Sequence, residues 1–533
     1  MSASISNTLV PAPRCFQARP GALDLSRGLA VIAGPEYGGV AKLAAGWLSG
    51  TIAIVNAAGV DDGVADEAAG LPALHFGLDP AFAGGEEYRL EVSADGASIA
   101  ASSTEGLVRG ASSLRQLALS ACVPGGDRRV PACLIEDGPR FGWRGFMLDT
   151  ARNFFPVDFI ERLLDLAALH KLNRFHWHLT DDQAWRLDLP GLPELARAGS
   201  RRRDRRFNWE VWKEGSYSPA DVKRVVAFAA ARGIVVVPEI ETPGHALALL
   251  ASHPELSCAA AMAEAAGGPA PAFLPEDRYG IFEDVLCAGN EAVFGLLEKI
   301  ADGVAELFPG PWVHAGGDEA PKARWLDCPR CGARMRELGL VDAKGAPEPE
   351  RLQAWFMARM ASIYAARGKR LVGWDEILDA EKDGHAGLPA DAVVMSWRGY
   401  EGGLAGARLG HDVVMSPQTK ACYLDHRHLD LPGEPGHLGV CTVRDSYQFE
   451  AIPPGLQPAE TGSILGGQAN VWSELLYFGK QAEYMIFPRL CALAESFWSP
   501  KELRDFGDFS RRLPGHLRRL DALGVNCYRG PLE

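Results

Sequence analysis

From Phe141 onward, short apolar runs alternate with longer amphipathic segments. The apolar runs predict eight strands, at residues 145–148, 174–179, 233–240, 312–315, 370–374, 392–396, 412–416 and 463–466. Helical spacing of hydrophobic residues predicts helices at 157–170, 219–231, 291–307, 350–367 and near 484–497. Strands and helices that alternate over this length predict an α/β fold, a (β/α)8 TIM barrel with insertions.

A doubly wound open sheet is the alternative for the same alternation, particularly because the helices between strands five and eight are short. Such sheets usually carry a glycine-rich phosphate loop after an early strand. No such loop follows the early strands here, and this favours the barrel.

The region before the barrel has a different pattern. Tyr88, Leu90 and Val92 alternate with polar residues up to Asp95-Gly96, a hairpin turn signal. Leucines at helical spacing follow between residues 107 and 117. We therefore predict a small α+β domain over residues 1–138 and a barrel domain over 139–533 with a C-terminal helical tail.

Composition limits the partners and the location. The net charge of −14 disfavours nucleic acid and anionic membranes, and no apolar run is long enough to predict a transmembrane helix. The first residues lack the charged and apolar regions of a signal peptide. Eleven scattered cysteines fit a reducing compartment, so a cytoplasmic location is expected.

Polar and aromatic residues lie at or near the ends of the predicted strands, one strand after another. In chain order they are Asp149 and Arg152; His176, His178, Asp181 and Asp182; Glu239, Glu241 and His245; Asp318 and Glu319; Trp374; Trp397; Tyr423 and Asp425; Trp472 and Glu474. Active sites of TIM barrels lie at these strand ends. Carboxylates beside several tryptophans suit a sugar, whose hydroxyls form hydrogen bonds and whose apolar face stacks on aromatic rings.

The adjacent acids Asp318 and Glu319 follow an apolar strand and two glycines, which let the backbone approach a ligand closely. If both side chains enter one pocket, burial and like-charge repulsion should raise one pKa. One proton donor and one carboxylate would result.

Eight segments resemble glycoside hydrolase family 20, the β-N-acetylhexosaminidases, in the order found in that family. They are WRGFMLDTARNFFP (143–156), HWHLTDDQAWR (176–186), PEIETPGHA (238–246), HAGGDEA (314–320), GWDEIL (373–378), SWRG (396–399), YLD (423–425) and GGQANVWSE (466–474). Asn153, Ala184 and Glu241 depart from residues frequent in the family, which are His, Gly and Asp respectively.

The resemblance implies a retaining exo-β-N-acetylhexosaminidase that uses substrate-assisted catalysis through an oxazolinium intermediate. Glu319 would be the general acid and base, and Asp318 would orient the acetamido group. The implied sugar-binding residues are Arg144, Trp374, Trp397, Tyr423, Asp425, Trp472 and Glu474, and His245 with Asp181 or Asp182 would support Glu319. The implied substrates are β-linked N-acetylhexosamine glycans or chito-oligosaccharides. No cofactor or metal is implied, and a homo-oligomer is left open.

Three other functions are considered. A metal hydrolase would use His176, His178, His245, His314 and Asp318 as ligands. A sugar-binding protein without catalysis would not need a proton donor, and a two-carboxylate glycosidase would accept sugars that lack the acetamido group. Cys328 and Cys331 are interpreted as a loop with two thiols or a local disulfide, because no second pair has zinc-ribbon spacing.

Overall fold

The computed structural model describes residues 7–56, 70–123, 125–204, 212–385, 387–419, 421–436 and 438–533. The first part of the chain contains the strands β1 Cys15–Asp24, β2 Leu29–Ile32, β3 Ile54–Asn56, β4 Ala73–Leu78, β5 Tyr88–Val92, β6 Gly96–Ala101 and β7 Arg129–Asp137, with helices α1 Gly38–Ser49 and α2 Thr104–Cys122. The strands form a mixed seven-stranded sheet in the order β1-β7-β5-β6-β4-β2-β3. The predicted hairpin is present, with Leu90 paired to Ile99.

The second part of the chain is a closed barrel of eight parallel strands. They are β8 Trp143–Asp149, β9 Arg174–His178, β14 Val235–Thr242, β15 Trp312–Gly316, β16 Arg370–Trp374, β17 Val393–Ser396, β18 Asp412–Met415 and β19 Ile464–Val471. The last strand pairs with the first, Gly466 opposite Trp143. The barrel prediction is confirmed, and the open sheet is excluded because this pairing leaves no edge.

Two short antiparallel β-ribbons lie in the loops of the barrel part. β10 Thr180–Asp181 pairs with β11 Ala184–Trp185, and β12 Arg202–Arg203 pairs with β13 Trp212–Lys213. The described helices of this part are α3 Val157–Leu169, α4 Pro193–Gly199, α5 Pro219–Ala230, α6 Leu247–Leu250, α7 Cys258–Ala265, α8 Glu291–Leu307, α9 Ala323–Asp327, α10 Pro329–Glu337, α11 Pro349–Ala365, α12 Asp379–Lys382, α13 Glu401–Leu409, α14 Val443–Gln448, α15 Gly479–Ile486, α16 Arg489–Trp498 and α17 Phe506–Ala522.

The helix predicted near 484–497 is two helices, α15 and α16, separated by Phe487 and Pro488. Proline has no amide hydrogen for the helical hydrogen bond, and its ring clashes with the preceding turn. The apolar periodicity continues across this break, which is why the pattern alone predicted one helix.

A buried ion-pair cluster joins the two parts of the chain. Glu86, just before β5, accepts hydrogen bonds from Arg109 of α2 (2.7 Å) and Arg144 of β8 (2.5 Å). Lys171 of the barrel is 2.8 Å from Asp137 at the end of β7, and Trp498 also donates to Asp137. The first part of the chain therefore contacts the barrel near the amino-terminal ends of its strands, at the end opposite to the expected site.

Candidate active site

The backbone after β15 turns sharply and directs two adjacent acids. Gly316 and Gly317 have φ of 69° and 97°, and a Cβ on Gly316 would lie 1.8 Å from a carboxyl oxygen of Glu241. Glu319 also has a positive φ, 44°. A non-glycine residue in this conformation is strained by about 1–3 kcal/mol and is often found at functional sites. The strand end is thus shaped to place Asp318 and Glu319.

Both acids line one cavity of about 490 Å³ at the carboxyl-terminal end of the barrel. The cavity is lined by Arg152, Asp318, Glu319, Trp374, Trp397, Gln418, Tyr423, Leu438, Trp472 and Glu474. Seven of these ten were named from the sequence as site residues. Arg152, Gln418 and Leu438 were not, and of these only Arg152 had a signal, its position just after the first barrel strand.

The aromatic residues form connected walls. The ring centroids of Trp374 and Trp472 are 5.9 Å apart, and those of Trp472 and Tyr423 are 6.2 Å apart. Trp374 donates its indole N–H to Glu239 (2.8 Å), and Trp397 donates to Glu376 (2.9 Å). These hydrogen bonds fix the ring planes, so the walls are preorganised for an apolar sugar face.

Asp318 is in an environment that opposes its negative charge. Burial raises the pKa of Asp318 to about 6, the nearby Glu319 raises it as well, and His245 lowers it. Burial and the nearby Asp318 also raise the pKa of Glu241 well above its ordinary value. Among the described residues no hydrogen-bond partner is found for Asp318 Oδ1. The carboxyl group lines the cavity, where a ligand can contact it.

His245 connects the two acids to a deeper carboxylate. Its Nε2 is 3.6 Å from Glu319 and 3.7 Å from Asp318, while its Nδ1 is 3.0 Å from Asp182 and 3.4 Å from Asp181. Burial lowers the pKa of His245, but the carboxylates around it outweigh burial and raise it. Asp182 makes the closer contact, and Asp181 is instead 2.7 Å from Arg152. This geometry distinguishes two acids that the sequence left equivalent.

Arg144 does not lie in the cavity, and its predicted role in sugar binding is wrong. It is the second residue of β8 and is fully buried at the amino-terminal end of the barrel. Its guanidinium bonds to Glu86 and to the carbonyls of Lys171 and Phe141. A side chain at the start of a barrel strand points away from the catalytic face.

Arg152 lies where Arg144 was expected. It lines the cavity beside Glu474, and its guanidinium carbon is 4.8 Å from the centre of the Trp472 ring. Burial raises the pKa of Glu474 to about 7, although Arg152 lowers it. An arginine and a carboxyl group at the same end of the cavity supply donors and acceptors for sugar hydroxyls.

Tyr423 and Asp425 follow β18. Burial raises the pKa of Tyr423 well above its ordinary value, so the phenol remains a proton donor. Asp425 is buried beneath the cavity wall, and its Oδ1 accepts from the backbone N–H of Trp472 (3.5 Å). Tyr423 lines the cavity and Asp425 is not among its lining residues, so a contact between Asp425 and the sugar stays a prediction.

The histidines proposed for a metal hydrolase surround a buried carboxylate. Glu239 contacts His314 (2.8 Å), His176 (3.0 Å) and His178. Burial lowers the pKa of His178, but the charge of Glu239 together with hydrogen bonds to Asp181 and Glu239 outweighs burial and raises the pKa to about 10. His245 belongs to the separate contact with Asp182. These contacts explain the histidines as an internal hydrogen-bond network beneath Trp374.

Adjacent carboxyl groups in an aromatic-walled cavity at the carboxyl-terminal face of a (β/α)8 barrel define a carbohydrate-cleaving site. Residues 141–501 match the catalytic domain of glycosyl hydrolase family 20, and residues 6–138 match domain 2 of the same family. The chain belongs to glycosyl hydrolase family 20 and is a glycoside hydrolase.

Proteins similar to this chain match it over most of its length. A β-hexosaminidase of Porphyromonas gingivalis is 40% identical over 86% of this chain, which spans 57% of that relative. One from Akkermansia muciniphila is 34% identical over 81% of this chain and 83% of its own length. An exo-β-N-acetylglucosaminidase of Vibrio harveyi, solved with N-acetylglucosamine, superimposes with a TM-score of 0.83 at 30% identity, covering 100% of this chain and 80% of its own.

Proposed function

We propose that this chain is an exo-acting, retaining β-N-acetylhexosaminidase. It removes terminal non-reducing GlcNAc or GalNAc residues, with the substrate's own acetamido group as nucleophile. The observation that carries the proposal is the convergence of Asp318, Glu319, Tyr423 and three tryptophans on one cavity. The family is an exception to the usual two-carboxylate scheme because the substrate supplies the nucleophile.

In the first step, the acetamido carbonyl oxygen bonds to the anomeric carbon while the glycosidic C–O bond breaks. Glu319 gives its proton to the leaving oxygen and becomes a carboxylate. In the second step Glu319 takes a proton from water, and the water oxygen attacks the anomeric carbon and opens the oxazolinium ring. Two inversions at one carbon give net retention. His245, 3.6 Å from Glu319, supports this carboxyl group in both forms.

Asp318 accepts the acetamido N–H and stabilises the positive charge that develops on the ring. With a pKa of about 6, this group is mostly a carboxylate at neutral pH. Tyr423 donates to the acetamido carbonyl, and Trp374, Trp397 and Trp472 hold the methyl group and the ring face. Preorganised groups of this kind stabilise the transition state more than the ground state.

At the other end of the cavity, Arg152 and Glu474 bind sugar hydroxyls, and Arg152 takes the role first assigned to Arg144. Arg152 is itself held by Asp181 (2.7 Å) and Gln183 (3.1 Å). Exo action is supported by the Vibrio harveyi neighbour, which is described as an exo-enzyme. The substrates we propose are β-linked N-acetylhexosamine glycans or chito-oligosaccharides.

The test compares aryl β-GlcNAc, aryl β-GalNAc and aryl β-glucoside with the same leaving group. We expect turnover of the acetamido sugars and almost none of the glucoside, because the glucoside has no internal nucleophile. Equal turnover of all three would favour a two-carboxylate glycosidase. Binding of GlcNAc without turnover would favour a sugar-binding protein.

The location and assembly are further proposals. All eleven cysteines lie in described parts of the chain, and none is joined to another by a disulfide, which supports a reducing compartment such as the cytoplasm. No helix in the described ranges combines the length and the apolar character needed to cross a bilayer. Size measurement in solution decides between a monomer and a homo-oligomer.

A further inference from the structure

Four cysteines from three separate segments meet outside the catalytic cavity. Cys258 begins helix α7, Cys287 lies just before α8, and Cys328 and Cys331 stand at the start of α10. The sequence analysis treated the last two as a loop with two thiols or a local disulfide. The structure instead places Cys328 and Cys331 at the start of a helix, and both are free thiols. Their neighbours Cys258 and Cys287 come at least 41 residues earlier in the chain.

The spacing of the sulfur atoms matches a tetrahedral metal site. Cys258 and Cys331 Sγ are 3.6 Å apart, and Cys287 Sγ is 3.7 Å from both Cys328 and Cys331 Sγ. All four sulfurs lie within 4.8 Å of one another. A zinc ion with Zn–S bonds of about 2.3 Å has sulfurs about 3.8 Å apart at its tetrahedral corners. A disulfide needs about 2.05 Å.

The surrounding backbone is built closely around the sulfurs. All four side chains are almost completely buried. A Cβ on Gly289 would lie 2.2 Å from the carbonyl carbon of Arg330, so the segment after Cys287 presses directly on the Cys328–Cys331 turn. Trp325 donates its indole N–H to the carbonyl of Leu286 (3.0 Å) beside the cluster.

Two of the four cysteines stand at helix amino termini. Cys258 is the first residue of an eight-residue helix, and Cys328 caps a nine-residue helix. The partial positive charge at a helix amino terminus stabilises thiolates, which are the form that binds metal.

We propose that Cys258, Cys287, Cys328 and Cys331 bind one structural zinc ion. Four cysteine ligands leave no open coordination position, and closed sites made of four cysteines are structural. This departs from the expectation of a chain without metal, which rested on spacing along the sequence. None of the four cysteines lines the catalytic cavity, so the ion is separate from the chemistry of Asp318 and Glu319.

The ion would connect the long loop after β14 with the helices after β15. Cys328 is nine positions beyond Glu319 in the sequence. The loop between Cys258 and Cys287 contacts Asp182, which in turn contacts His245 beside the catalytic acid. Within this loop, Glu276 donates its backbone N–H to the carbonyl of Asp182 (2.8 Å). The zinc ion would therefore hold the loop that contacts Asp182 to the helices that follow Asp318 and Glu319.

The experiment measures metal content by mass spectrometry in the 533-residue chain, purified without chelators. We expect about one zinc per chain in the wild type and less than about a tenth of that in Cys287→Ser, since three thiolates bind far more weakly. Cys441→Ser removes a buried cysteine outside the cluster and should keep its zinc. Cys258→His should also keep zinc, because three cysteines with one histidine are an established structural ligand set.

X-ray absorption at the zinc edge of the wild-type protein provides a result that does not depend on folding of a variant. Four sulfur neighbours at about 2.3 Å support the proposal. Wild-type protein without zinc after incubation with zinc chloride overturns it, as do nitrogen or oxygen neighbours in place of sulfur. Iron in the site, or full zinc content in folded Cys287→Ser, overturns it equally.

Discussion

Replacing Arg152 with lysine is the sharpest test of the corrected sugar-binding end. Lysine keeps a positive charge near Asp181 and Asp149, so the buried carboxylates retain a counter-ion. It loses the planar guanidinium that can contact protein and sugar together. A hydrogen bond to a charged donor contributes about 1.5–3 kcal/mol. At about 1.4 kcal/mol per tenfold change, kcat/KM should fall about 10- to 150-fold.

Arg144→Lys is the matched control at the opposite end of the barrel. It leaves the carbonyls of Lys171 and Phe141 without guanidinium donors, which should lower the free energy of unfolding by about 1–3 kcal/mol. Its kcat/KM should remain close to that of the wild type. The assays are hydrolysis of aryl β-GlcNAc and urea unfolding of both variants. A specific rise in KM for Arg144→Lys, with Arg152→Lys unaffected, would refute the reasoning.

Three further predictions concern the two acids. Glu319→Gln should lower the rate about 10²- to 10⁴-fold on substrates with poor leaving groups and much less on activated aryl substrates. The assay compares a series of leaving groups. Equal losses across the series would contradict the acid role. Asp318→Asn should lower kcat about 10²–10³-fold with KM little changed, and a change mainly in KM would argue against transition-state stabilisation. Burial raises the pKa of Asp318 to about 6, so protonation should remove its charge and lower kcat/KM about tenfold per pH unit below about 6. A pH profile that stays flat from about 7 to about 5 would exclude this dependence.

The barrel was predictable because its signals are local. Each strand is a short apolar run, and α8 was predicted at its observed bounds from helical spacing alone. The tryptophans were predictable for the same reason, since Trp374 ends a strand and Trp397 and Trp472 each follow one directly. The choice between Asp181 and Asp182 was not, because it depends on where one imidazole nitrogen lies in space.

Two other features could not be assigned correctly from the local sequence pattern. Arg144 was misassigned although its place at the start of β8 already directs it away from the catalytic face. The cysteine cluster was missed because its members are brought together by the packing of three segments, and their spacing matches no linear motif. Contacts between distant segments carry no periodicity that a sequence pattern can reveal.

The placement of Glu86 has a consequence for dissecting this enzyme. One carboxylate neutralises Arg109 from one half of the chain and Arg144 from the other. Removing the first half would leave the guanidinium of Arg144, at the amino-terminal end of the barrel, without its counter-ion. Removing one partner of a buried ion pair costs several kcal/mol. The isolated barrel is therefore expected to be less stable than the whole chain, and a truncation or domain exchange should keep Glu86 and its surroundings.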